Sequence, residues 1–237
     1  MRSLRLPLRL FLDFGAAILL IAGLAYYWLD NLAHELIGSA FFALIAAHAI
    51  FNRRWYGALL KGRYDAKRSI AVAVNLTFLG VILILLVSSV GLSRSLLGFA
   101  GFDPGYAVRQ IHMLAAYWAI ACLGVHLGLQ WPTVMKIARS ALRIRVSNPW
   151  RTAFLRMTAL TIALYGIRSS FDMTFGSKLV LSYTLDMWDF HTQTLRFFVN
   201  FGAIIGLYAA LTHYGLTGLQ RRKASAVAGA ADAHLSR

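Results

Sequence analysis

HELIGSAFFALIAAHAIFNRR, residues 34–54, carries two histidines fourteen positions apart in a run that is uncharged from Leu36 until Arg53 and Arg54 close it. A second stretch, HMLAAYWAIACLGVH at 112–126, repeats that spacing. Both are long enough and apolar enough to cross the ~30 Å hydrocarbon core of a bilayer as helices. At 3.6 residues per turn, fourteen positions make nearly four turns, so each pair shares one helix face within about 40°. The rise along the axis separates the members of a pair by ~21 Å. Each stretch therefore sets one imidazole near each leaflet.

The rest of the chain agrees with a lipid solvent. Of its 237 residues, 59% are hydrophobic and only 14% charged, too few to coat a soluble surface. Six stretches qualify as spans, at about 9–28, 33–52, 69–91, 109–131, 152–171 and 191–214. The first follows Arg2, Arg5 and Arg9. It ends in the interfacial aromatics Tyr26, Tyr27 and Trp28, and is read as a span rather than a cleaved signal peptide. The predicted fold is an all-α membrane protein, a six-transmembrane-helix bundle over 1–220, with a short, disordered cytoplasmic tail at 221–237. The segment 134–146 is expected to lie on the cytoplasmic surface as a basic amphipathic helix.

Charge placement sets the direction. Lys and Arg number 3, 6, 5 and 4 in the N-terminus, the 53–68 loop, the 132–151 loop and the C-terminal end, against 0, 2 and 1 in 29–33, 92–109 and 172–190. Asp30, Asp103, Asp172, Asp186 and Asp189 fall in the second set. The positive-inside rule puts both termini in the cytoplasm. The net charge of +15 thus records topology, and no nucleic-acid partner is expected.

Under that topology the two histidine stretches run in the same direction. His34 then stands level with His112, and His48 with His126. A lone intramembrane histidine is usually a hydrogen-bonding residue between helices. Two matched pairs at equal spacing instead suit a metal ring gripped by one imidazole from each side, that is, haem iron with two histidine ligands. The expectation is two haem b groups in a di-haem four-helix core, ligated by His34, His48, His112 and His126. The single cysteine, Cys122, lies in an apolar run, and no Cys-x-x-Cys-His sequence offers covalent attachment. Gly38 and Gly124 are candidates for close approach of a porphyrin or, equally, for helix packing. Arg109, one turn before His112, is a candidate partner for a haem propionate. Arg53 and Arg54 suit interfacial anchoring better. His191 and His213 sit at opposite interfaces and read as snorkelling residues. Asp13, Arg156, Arg168 and Arg196, in or near spans, must find partners or water.

The stretches HELIGSAFFALIAAHAIFNRRWY (34–56) with KGRY (61–64), and RQIHMLAAYWAIACLGVHLGLQW (109–131), resemble the histidine helices of the flavinylation-associated cytochromes. YGIRSSF (165–171) and the acidic connection before the last span agree more loosely, and the resemblance covers most of the chain. It departs at Gln130-Trp131, where the family pattern has a histidine before the tryptophan. The resemblance implies a multi-pass di-haem cytochrome of the bacterial inner (cytoplasmic) membrane. It matches the four histidines to the family's haem ligands position by position. It also implies exchange of electrons with an extracytosolic flavoprotein; no flavinylation site is found here, so FMN would sit only on a partner.

The leading functional expectation is transmembrane electron transfer from quinol or a cytoplasmic donor to that flavoprotein or a similar acceptor. A second is the membrane anchor or quinone-reactive subunit of an oxidoreductase, like a formate dehydrogenase gamma subunit. A third is a haem-free transporter or scaffold, against which the lack of broken helices or an evident inverted repeat counts.

Overall fold

The computed structural model describes residues 2–100, 105–182 and 188–235, and among these the chain is helical with no strand. The helices are α1 (Arg2–Leu24), α2 (Asn31–Phe51), α3 (Arg53–Ala58), α4 (Ala66–Leu92), α5 (Gly105–Ala141), α6 (Pro149–Asp172), α7 (Phe175–Leu179) and α8 (Thr194–Leu235), with a short 3-10 turn at Gly98–Ala100. Asp103 and Asp186, counted above in the acidic connections, lie outside the described residues.

Several starts follow from capping chemistry. The Asp30 carboxylate accepts from Ala33 N at 2.7 Å, and Asp65 does the same for Arg68 N at 2.7 Å. Asn148 accepts from Trp150 N at 2.9 Å, and Pro149 follows it at the first helical position, where its missing N–H costs nothing.

Among the described residues four helices, α2, α4, α5 and α8, are long and apolar enough to cross a membrane. The other two expected spans also form helices, of 23 residues in α1 and 24 in α6. Each carries four charged residues: Arg2, Arg5, Arg9 and Asp13 in α1, and Arg151, Arg156, Arg168 and Asp172 in α6. Two expected ends run on. The segment from 134 does not form a separate surface helix, because α5 continues through Pro132 to Ala141 and stops where Arg143 takes a positive φ of 53°. The segment expected as a tail extends α8 to Leu235.

The helices pack as two groups. In the larger, α8 lies between α5 and α6, and α4 covers the far side of α5. Glycine makes the close approaches. A Cβ on Gly124 would fall 2.6 Å from Tyr208 Cβ, and one on Gly128 would fall 2.5 Å from the Ala209 carbonyl oxygen. Gly124 therefore serves helix packing, the second of its two readings, in a small-xxx-small seam of the kind that joins helices in lipid. On the other flank Asn200, fully buried on α8, accepts from Tyr165 Oη and Ser169 Oγ of α6 at 3.1 Å each. Phe175, Phe201, Ile120 and Ile204 fill the centre.

The smaller group is α1 on α2, and α1 also touches α5 and α8. Among the described residues α2 makes no extended backbone contact with α4 or α5. What fixes its height is Glu35. This carboxylate accepts from Ser93 Oγ at 2.7 Å and from the backbone N–H groups of Arg94, Ser95 and Leu96 at 2.8, 3.0 and 2.8 Å. The turn after α4 thus closes around the first turn of α2. At the other end, Arg9 Nη2 donates to the Phe51 carbonyl at 3.0 Å and ties α1 to the last turn of α2.

Candidate functional site

His34 and His112 meet across the interval between α2 and the α4–α5 pair, and His48 lies within electrostatic range of His126. The Gly124–Gly128 seam seats α5 on α8. His126, two residues from either glycine, stands about 200° round the helix and so projects away from α8. His112 lies nearly four turns earlier on that same face. On α2, His34 and His48 share the face turned toward them.

The ring centroids of His34 and His112 are 6.3 Å apart, with their planes at 69°. With metal–imidazole bonds of about 2.0–2.1 Å, rings at this separation would have room for one metal ion between them. The angle between planes is free to vary, since each ring rotates about its own metal–nitrogen bond. At the other level, His48 and Asp13 lie within electrostatic range of His126. The two helices therefore run in the same direction with their histidines at matching levels, as the charge-derived topology expects.

Three of the four rings are held at Nδ1 by side chains of the flanking helices. His112 Nδ1 lies 3.0 Å from Ser88 Oγ; with that hydroxyl donating to the Ile84 or Leu85 carbonyl, its oxygen is placed to accept from the imidazole N–H. His126 Nδ1 lies 2.9 Å from Asn75 Oδ1, which can only accept. His48 Nδ1 lies 2.5 Å from Asp13 Oδ1, again an acceptor. Where these oxygens accept from a neutral imidazole, Nδ1 carries the proton and Nε2 keeps its lone pair. Metal-ligating histidines are oriented in this way, by a partner on the second nitrogen. The competing contact is at His48, where Asn52 Nδ2 approaches Nε2 at 3.3 Å. His34 differs. Its Nδ1 is buried without a hydrogen bond, with the Gly23 carbonyl nearby but outside bonding geometry, and its ring stands edge-on to Tyr26 at 5.0 Å.

This donor set suits haem. Among the described residues no cluster of three or more His, Cys, Asp or Glu gathers round one point. A naked zinc ion asks for about four protein donors, whereas iron in a porphyrin takes four nitrogens from the ring and asks the protein for two. His34 and His112 would hold one haem, and His48 and His126 the other. A Cβ on Gly38 would meet nothing within 4 Å, so the helix face one turn after His34 is open to a flat group.

The remaining candidates are placed plainly. Arg109 is exposed in the second turn of α5, one turn before His112, and Arg53 and Arg54 are exposed on α3. Asp13, sought above as a residue in need of a partner, has found it in His48. Arg196 pairs with Asp172 at 3.1 Å, and Arg168 approaches the same carboxylate at 3.7 Å. Arg156 borders an apolar groove of about 430 Å³ between α6 and α8, along with Tyr214. His191 is exposed in the turn before α8, where its backbone N–H donates to Asp189. The Thr192 hydroxyl and that N–H hold the Asp189 carboxyl below its ordinary pKa. His213 packs edge-on against Tyr214 near the middle of α8.

Asn75 and Ser88 were not singled out in the sequence. A signal for them exists: with Thr77 and Ser89 they are the few polar residues of an apolar stretch, and they lie thirteen positions apart, ~19.5 Å of rise against the ~21 Å between His112 and His126. On a helix running opposite to α5, that separation matches each to one histidine.

No protein-family model matches the chain, and neither a search of curated proteins nor one of solved structures finds a match.

Proposed function

We propose that this chain is a six-span b-type cytochrome that carries electrons across a bacterial inner membrane through two bis-histidine haems. The single observation that supports the reading most is the His34–His112 pair, whose rings stand 6.3 Å apart on helices that otherwise avoid close packing. The Nδ1 partners Ser88, Asn75 and Asp13 add to it, because they engage the nitrogen of His112, His126 and His48 that a metal would not use, although Asn52 Nδ2 stands 3.3 Å from His48 Nε2.

When bound, haem supplies one-electron redox chemistry. The chain ligates it, orients the imidazoles and keeps water and bulk ions away from the path. With α1 and α6 completing six crossings, both termini lie in the cytoplasm, and the His48–His126 site faces that side. Quinol or a cytoplasmic reductant serves as donor there. An extracytosolic flavoprotein, with FMN on the partner, serves as acceptor near His34 and His112. The acidic residues of the opposite connections, Asp30 and Asp189 among them, give such a partner a complementary charge to meet.

Haem extraction and reduced-minus-oxidised spectra of the purified chain and its four single His→Ala variants test this. Two haems per chain are expected. His34→Ala and His112→Ala each remove the same one, and His48→Ala and His126→Ala the other. A purified chain without reducible b-type bands refutes the proposal.

A further inference from the structure

The three Nδ1 partners are not equivalent. Ser88 and Asn75 are neutral, whereas Asp13 brings a full carboxylate to His48. Within the described residues this carboxylate has no competing cation. Arg9, one turn earlier on α1, spends a guanidinium nitrogen on the Phe51 carbonyl and lies over the Phe51 ring. Asp13 is also near enough to His126 to act on it electrostatically. Any metal centre held by His48 and His126 therefore sees one fixed negative charge through one ligand and from one side. The His34–His112 pair sees neutral Ser88 on one ring and an unbonded Nδ1 on the other. Glu35 stands beside His34 and acts on it electrostatically, but its oxygens bond the turn at 93–96 and not the imidazole, so among the described residues no carboxylate reaches either ring of that pair through Nδ1.

A carboxylate that accepts the Nδ1 proton raises the electron donation of the imidazole and favours the more highly charged, oxidised metal. A neutral hydroxyl or amide does this much less. We propose that Asp13 is a positioning residue that orders the two haem potentials, making the His48–His126 site the more reducing of the two. Electrons then pass downhill from that site to the His34–His112 site, one at a time, and no proton need accompany them. This inference rests on the haem reading above and adds a direction to it.

Potentiometric titration of the haem-loaded full chain tests the proposal, using wild type, Asp13→Asn, Asp13→Glu and Ser88→Ala. The midpoint belonging to the His48–His126 site is the one that disappears in His126→Ala. In wild type it is expected to be the lower. Asp13→Asn should raise it by at least tenfold in the ratio of reduced to oxidised haem, about 59 mV for one electron, and leave the other midpoint in place. Ser88→Ala should move only the other midpoint, and by less. Two unchanged midpoints in Asp13→Asn, with both haems retained, overturn the proposal; so does a wild-type His48–His126 midpoint above that of its neighbour. If Asp13→Asn loses that haem, Asp13→Glu decides. A haem retained at the wild-type potential supports a role for charge, while a raised potential or a lost haem assigns Asp13 to packing and overturns it. A wild-type chain that binds no haem defeats the cytochrome reading itself, which separates the two failures.

Discussion

Gly128→Ala adds one methyl group at the tightest described point between α5 and α8. Its carbon falls 2.5 Å from the Ala209 carbonyl oxygen, 2.7 Å from Thr212 Cβ and 3.1 Å from Ala209 Cα. Favourable contacts between such atoms lie at about 3.5–4.0 Å, so relief requires the helices to part by roughly 1 Å. No rotamer change provides it, because two of the three atoms are backbone and the third is fixed to it. Nor is α5 free to retreat, since α4 lies against its far side. Overpacking of this kind costs about 1–3 kcal/mol. At 1.4 kcal/mol per tenfold, that is roughly a five- to 140-fold fall in the ratio of folded to unfolded chain. Denaturant titration in detergent, followed by circular dichroism and tryptophan fluorescence, measures the change. Gly202→Ala on α8 is the control, because its added carbon meets nothing within 4 Å. A Gly128→Ala protein as stable as Gly202→Ala would refute the close seam, and with it the placement of His126 on the face opposite α8.

Other expectations follow from the same geometry. Glu35→Ala releases the turn at 93–96; as water replaces most of the lost bonds there, the loss is about 1–2 kcal/mol, and hydrogen exchange at the Arg94, Ser95 and Leu96 amides should quicken while that of the α8 core does not. Gly38→Ala should leave the stability of the haem-free chain within about 0.5 kcal/mol of wild type, because its Cβ meets nothing, but should lower haem content if a macrocycle lies against that face. His191→Ala should leave the absorption spectrum unchanged, since the residue is exposed in the turn before α8; loss of a haem there would overturn the ligand assignment.

Much of the helical framework was legible because lipid imposes a simple grammar. Backbone polar groups have no partner in hydrocarbon, so an apolar run of sufficient length becomes a helix, as 31–51, 66–92 and 105–141 did. The ends were less legible. Proline removes one N–H but does not force a stop where the flanking residues still favour helix, and α5 runs through Pro132. The alanine-rich stretch after 220 was expected to be loose, yet alanine is the strongest helix former, and α8 carries on through it.

The sequence alone led to the expectation of level histidine pairs, from helical rise and loop charge, and His34 does face His112. It also indicated that Asp13, a charge inside a long apolar helix, needed a partner. Only the tertiary structure decided which partner. The pairing of Asp13 with His48, of Ser88 with His112 and of Asn75 with His126 depends on the rotation of α1 and α4 about their own axes. Close packing sets that rotation, through contacts such as the glycine seam on α8 and the Glu35 clamp on α2, and no single helix encodes it.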